Sequence, residues 1–209
     1  MESGGLEKYA SLMTEVKLRV EHIDRLMSGA DNLPLPPRFE CAALQFRKIL
    51  ELIAFGSLVA NEKIYASTYK DFSKEWNAKK LLAKLGNLNP NFYPVPVKQV
   101  KTDMPGILLK HEKITQAYLS KAEFIVAYQK CSEFIHTKNP YSINSPLNFQ
   151  DCAKVFADWK SRIVTLLTIH ELHLYKDPGM AVCSMNDGGT NQVKVYRFAP
   201  PGSAGGAKP

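Results

Sequence analysis

Hydrophobic positions at the start of the chain recur in steps of four and three. Tyr9, Met13, Val16, Val20, Ile23 and Met27 form a heptad seam on a helix predicted over 6–28, with Gly29 as its C-terminal stop. Three heptads can pack on their own domain or, at the lower limit of length, pair with a second copy. A proline-rich segment, Leu33-Pro34-Leu35-Pro36-Pro37, follows and delivers proline to the first turn of the next helix. That helix, over 38–61, carries Ala42, Ala43, Leu44, Phe46, Ile49, Leu50, Leu52, Ile53, Phe55, Leu58 and Val59. Because it is apolar on nearly every face, it must lie at the centre, covered by several neighbours.

Residues 62–85 read as one or two further helices, with Trp76, Leu81, Leu82 and Leu85 turned inward. Asparagine and proline exclude a continuous helix over 86–106, and Phe92-Tyr93-Pro94-Val95-Pro96-Val97 reads as an extended segment clamped by its aromatics. A long helix is predicted from Ile114 to about His136, and another over 149–169 through Cys152, Val155, Phe156, Trp159, Ile163 and Leu166. The period then changes. Two β-prone runs, 180–185 and 192–198, flank Asn186-Asp187-Gly188-Gly189, a hairpin signal, and 171–175 offers a third strand. The prediction is a mainly α fold: an N-terminal heptad-like helix (1–30), a helical bundle (38–170), a small C-terminal antiparallel β-hairpin or meander (171–198) and a disordered tail (199–209).

Composition narrows the class without naming a reaction. The chain has 209 residues, 45% of them hydrophobic and 22% charged, which suits a globular domain with a full core. No apolar run approaches the roughly 20 residues of a membrane span, so no membrane partner is expected. Cys41, Cys131, Cys152 and Cys183 stand far apart without a CxxC pair, which argues against a zinc finger or disulfide framework and fits a reducing cytoplasm. The net charge of +7 favours solubility and is compatible with an acidic partner, but falls short of a polybasic nucleic-acid tail. Within 70–84 five lysines, Lys70, Lys74, Lys79, Lys80 and Lys84, face two acids, Asp71 and Glu75, making a basic patch for nucleic acid or an ordinary solvated face.

His170-Glu171-Leu172-His173 is one residue short of the HExxH spacing that places two histidines on one helical face, so no metal site is expected. No cofactor-binding glycine motif and no G-x-S-x-G elbow is present. Two polar features remain. Arg47 and Glu51 lie one turn apart on the most apolar helix, either as a structural ion pair or as the floor of a polar cleft. His136 closes an apolar helix, where an imidazole caps carbonyls or titrates near neutrality.

The segment Ala43-Leu44-Gln45-Phe46-Arg47-Lys48-Ile49-Leu50-Glu51 resembles the apolar-Arg-x-x-x-Glu helix of bacterial HEPN-like domains, and Ser132-Glu133-Phe134-Ile135-His136 is similar to the later helix of those domains. Trp76-Asn77-Ala78-Lys79-Lys80, Asn89-Pro90-Asn91-Phe92-Tyr93-Pro94 and Ile135-His136-Thr137-Lys138-Asn139-Pro140 also look like uncharacterised bacterial or phage proteins of that kind. The resemblance spans about 38–170. It implies an often dimeric helical bundle in defence or toxin–antitoxin contexts, binding RNA or cleaving it without metal. Active members use an R-x(4–6)-H motif at a dimer interface. This chain has no such motif: Arg162 precedes His170 by eight residues and Arg19 precedes His22 by three. A catalytic pair would have to be Arg47 and His136 brought together from separate helices, Arg47 stabilising phosphate charge and His136 acting as general acid or base. The alternative function is a non-catalytic homo-oligomeric interaction or adaptor protein, motivated by the heptad seam and the proline segment.

Overall fold

A computed structural model describes residues 1, 3–70, 72–103, 109–137, 141 and 148–198. The first helix, α1 (Ser3–Ser28), ends where expected. Gly29 adopts φ +78°, which lets its N–H reach Leu26 O (3.1 Å) and the Ala30 N–H reach Arg25 O (3.3 Å). Pro36 and Pro37 sit in the first turn of α2 (Leu35–Ala60), where a missing N–H costs nothing. Twelve residues of α2 are buried, among them Phe46, Ile49, Leu50 and Ile53. It is the central helix.

The α1 seam packs within the chain. Tyr9, Met13, Val16 and Ile23 are at most 1% exposed and belong to the same core as α2. At Gly56 of α2 a Cβ would stand 2.9 Å from the Tyr9 ring, so the two long helices touch backbone to aromatic face. The surface that suggested a dimer is thus occupied by the chain's own second helix.

Beyond α2 come α3 (Glu62–Thr68), a 3₁₀ turn (Phe72–Lys74) and α4 (Ala78–Leu88). The long helix expected from Ile114 starts later, as α5 (Lys121–Ile135). Ser120 and Glu123 close a capping box that fixes this start, overriding the apolar spacing at Ala117 and Tyr118. The final helix is α6 (Phe149–Leu167), capped by Asn148.

The sheet is larger than the C-terminal meander foreseen. It has five antiparallel strands: β1 (Val95–Lys101), β2 (Leu109–Lys113), β3 (Ile169–His173), β4 (Met180–Ser184) and β5 (Lys194–Phe198), in the order β2-β1-β3-β4-β5. The segment read as merely extended therefore supplies a strand, and its partner β2 comes from residues assigned to no element. β2 reads Leu-Lys-His-Glu-Lys, with no apolar alternation, because neither of its faces enters the core. The inner face of β3 and β4 carries His170, Leu172, Ala181 and Cys183, all buried against the helices. The β1–β2 hairpin curls over the other face. Val95 pairs with Glu171 and Gln99 with His111, so in a flat sheet His111 and Glu171 would stand about 16 Å apart. Yet His111 Nδ1 lies 3.1 Å from Glu171 Oε1. Residues 138–140, 142–147 and the tail 199–209, expected to be disordered, lie outside the described residues.

Candidate nucleic-acid interface

Arg47 is anchored from every side. Its Nε meets Glu51 Oε1 (3.3 Å), Nη1 donates to Ser132 Oγ (2.6 Å), and Nη2 donates to the Tyr128 hydroxyl (2.8 Å). The guanidinium also lies over the Tyr128 ring, 4.3 Å from its centroid, and the Tyr128 hydroxyl donates onward to Glu51. This is a clamp between α2 and α5, with the fork of donors satisfied internally. His136 is the C-terminal cap residue of α5, its backbone N–H on Ser132 O (3.1 Å) and its side chain exposed. Arg47 thus reaches Ser132, one turn before His136, while no bond between Arg47 and His136 is seen.

The histidines of His170-Glu171-Leu172-His173 fall on opposite faces of β3, because side chains alternate along a strand. His170 points inward and is fully buried. Its Nε2 accepts from the Tyr9 hydroxyl (2.8 Å) and its Nδ1–H donates to Leu167 O (2.9 Å). The tautomer follows, since a carbonyl only accepts. Burial holds the imidazole neutral and lowers its pKa from 6.5 to about 4. Glu171 and His173 point outward, with Glu171 gripped by His111 and 3.7 Å from His173 Nε2. Among the described residues no three His, Cys, Asp or Glu side chains converge as metal ligands. Burial raises the thiols of Cys131 and Cys183 to about 12, which leaves both unreactive.

The lysine-rich segment holds the unexpected feature. Trp76, expected inward, is 69% exposed. Its neighbours explain why. Glu75 turns in, where Oε1 accepts from the Asn77 N–H (3.4 Å) and Oε2 binds Lys84 Nζ (2.5 Å). Asn77 turns in to cap α4, its side chain accepting from the Lys80 N–H (3.0 Å). With both flanking residues committed to holding the chain, the residue between them is presented to solvent. The Lys84 ammonium keeps the Glu75 carboxyl below its usual range, and Glu75 in turn raises Lys84.

Lys84 is thereby removed from the patch: it is paired and lies over the Tyr69 ring at 5.1 Å. Lys70, Lys74, Lys79 and Lys80 are exposed and lie within six residues of Trp76 along the chain. Lys79 and Lys80 occupy the first turn of α4, which contains no acid. Cations at the positive end of a helix oppose its dipole, whereas an anion bound there would be favoured by both. The segment combines an exposed aromatic side chain, exposed lysines and an acid-free helix start. The aromatic was missed in the sequence because hydrophobicity alone placed it in the core. Its position between an Asn-cap signal and a lone acid was the available clue. Comparison with protein families, curated proteins and solved structures finds no match to this chain.

Proposed function

We propose that this protein binds single-stranded RNA through the surface formed by Trp76, Lys70, Lys74, Lys79 and Lys80. The observation that carries the reading is the exposed Trp76 indole in a lysine-rich stretch just before an acid-free helix start. Every base offers a π-face, so an indole in solvent stacks bases without sequence preference, and neighbouring ammonium groups take the phosphates. The HEPN-like resemblance points to the same ligand class. Arg47 is engaged within the helical clamp, so the reading is one of binding and assigns no cleavage step.

Anisotropy of a labelled oligouridylate across a salt series tests it. Among the described residues Lys70, Lys79 and Lys80 form no ion pair, and three phosphate contacts give a slope of log K against log salt of about −2 on single strands. Lys79→Glu with Lys80→Glu should weaken binding at low salt and flatten that slope. Wild-type binding absent at low salt, or unchanged in this variant, would defeat the proposal.

A further inference from the structure

A second positively charged site lies away from Trp76, in an open cleft of about 670 Å³. Its walls are the 90–96 segment, the end of β2, residues 114–122 and His173. Lys113 and Lys121 border it, and among the described residues neither forms an ion pair, the Lys121 ammonium lying over the Phe92 ring at 5.4 Å. The nearby carboxylates are already occupied. Glu123 is held by the Ser120 N–H (2.9 Å), the Ser120 hydroxyl (2.7 Å) and Arg162 (2.9 Å), and these hydrogen bonds hold its carboxyl below the usual range. Glu171 is held by His111 and faces His173. Two lysines therefore border a concave surface whose neighbouring carboxylates are already engaged, an arrangement that favours an anion.

The rest of the lining gives shape. Pro90, Pro94 and Pro96 make one wall, with their backbone torsions fixed before anything binds. The facing loop adds the Thr115 and Tyr118 hydroxyls. It passes through Ala117 at φ +58°, a left-handed conformation that a residue with a Cβ adopts at a cost and that recurs at ligand clamps. The Ile114 N–H on Pro96 O (2.9 Å) ties the two walls together. The lining thus joins two lysines and hydroxyl-bearing side chains to proline, tyrosine and aliphatic ones. Its volume falls in the range of small-molecule sites.

We infer that this cleft binds a phosphomonoester attached to a planar body, with Lys113 and Lys121 on the phosphate and the proline–tyrosine walls on the ring. Two sources share that chemistry, a free nucleoside monophosphate and the 5′-phosphate end of an RNA strand. The test compares three matched pairs of probes by titration calorimetry: adenosine 5′-monophosphate against adenosine, a 5′-phosphorylated against a 5′-hydroxyl pentauridylate, and inorganic phosphate against chloride as a baseline. At least one phosphorylated probe should bind at least tenfold tighter than its unphosphorylated twin, since each charge-assisted contact is worth about tenfold. Preference for the mononucleotide identifies a free ligand, and preference for the oligomer identifies an RNA end.

Lys113→Glu with Lys121→Glu should abolish the difference, and Lys79→Glu with Lys80→Glu should leave it intact, which separates this cleft from the Trp76 surface. Both lysines of the cleft are exposed, and Lys113→Ala with Lys121→Ala gives a milder pair should the charge reversal disturb folding. The inference is overturned if phosphorylation confers no preference on either probe. It is equally overturned if the preference survives in both lysine-pair variants.

Discussion

Lowering the pH from 7 to 4.5 should destabilise this protein through one side chain, His170. In the folded chain the imidazole is fully buried, its Nδ1–H on Leu167 O and its Nε2 on the Tyr9 hydroxyl. Burial lowers its pKa to about 4, against 6.5 for an unfolded chain. A lowered basic group acts as follows. Above pH 6.5 neither state is protonated and the full stability is present. Between 6.5 and 4 only the unfolded chain takes up the proton, so stability falls. Below 4 both states carry it, and the loss levels off. At about 1.4 kcal/mol per pH unit, the loss across that window is about 3 kcal/mol, a large share of a typical stability of 5–15 kcal/mol. Glu75, Glu123 and Asp177, held low by Lys84, Ser120 and Arg197, lose their contribution only at more acidic pH, which leaves the upper part of the window to the histidine. The assay is urea unfolding at half-unit pH steps for the wild type and His170→Gln, which keeps a polar group beside Tyr9 without the titration. The wild-type curve should fall more steeply than the variant's between pH 6.5 and 4.5, whatever the variant costs at pH 7. Parallel curves would refute the argument, as would an NMR titration placing the folded imidazole near 6.5.

Four further outcomes follow from the packing. Gly56→Ala forces a methyl to 2.9 Å from the Tyr9 ring and should cost about 1–3 kcal/mol in thermal or urea unfolding. Arg47→Leu leaves Glu51 half-buried without its cation and should be clearly destabilising, while Arg47→Leu with Glu51→Leu recovers part of the loss; simple additivity would mean that the clamp is not a coupled unit. Ser120→Ala removes the capping box of α5 and should lower stability by about 1 kcal/mol, with a matching fall in Tm. Val16→Asp with Ile23→Asp should unfold the chain, and a folded species that merely changes its sedimentation would place the seam at an intermolecular surface instead.

The long helices were legible because each carries a period and a boundary signal together. In α1 the heptad spacing ends at Gly29, and in α2 the all-round apolar pattern follows prolines suited to a first turn. The C-terminal strands were legible as β-prone runs flanking the turn signal at Asn186–Gly189. Legibility failed wherever a residue's environment is set by distant chain. β2 pairs with β1 through backbone bonds that any sequence can make, and its side chains advertise nothing. The start of α5 followed from Ser120 and Glu123, a local signal outweighed in the reading by apolar spacing at Ala117 and Tyr118. His170 and His173 read as neighbours in sequence and are separated by the thickness of the sheet. Trp76 is the consequential case: an apolar residue presented to solvent because Glu75 and Asn77 hold the backbone on either side. The basic patch was visible from composition, and its aromatic centre was not.

The central claim, that Trp76 stacks on single-stranded RNA, is reached most directly by tryptophan fluorescence. The chain has two tryptophans, and Trp159 is buried in the aromatic core with Phe46 and Phe156, so the solvent-exposed signal belongs to Trp76. Titrating oligouridylate should quench that signal saturably, with salt reversing the effect. Trp76→Ala should bind about 10- to 100-fold more weakly, the loss of one stacked base. Quenching absent at low salt, or Trp76→Ala binding as tightly as the wild type, would contradict the account.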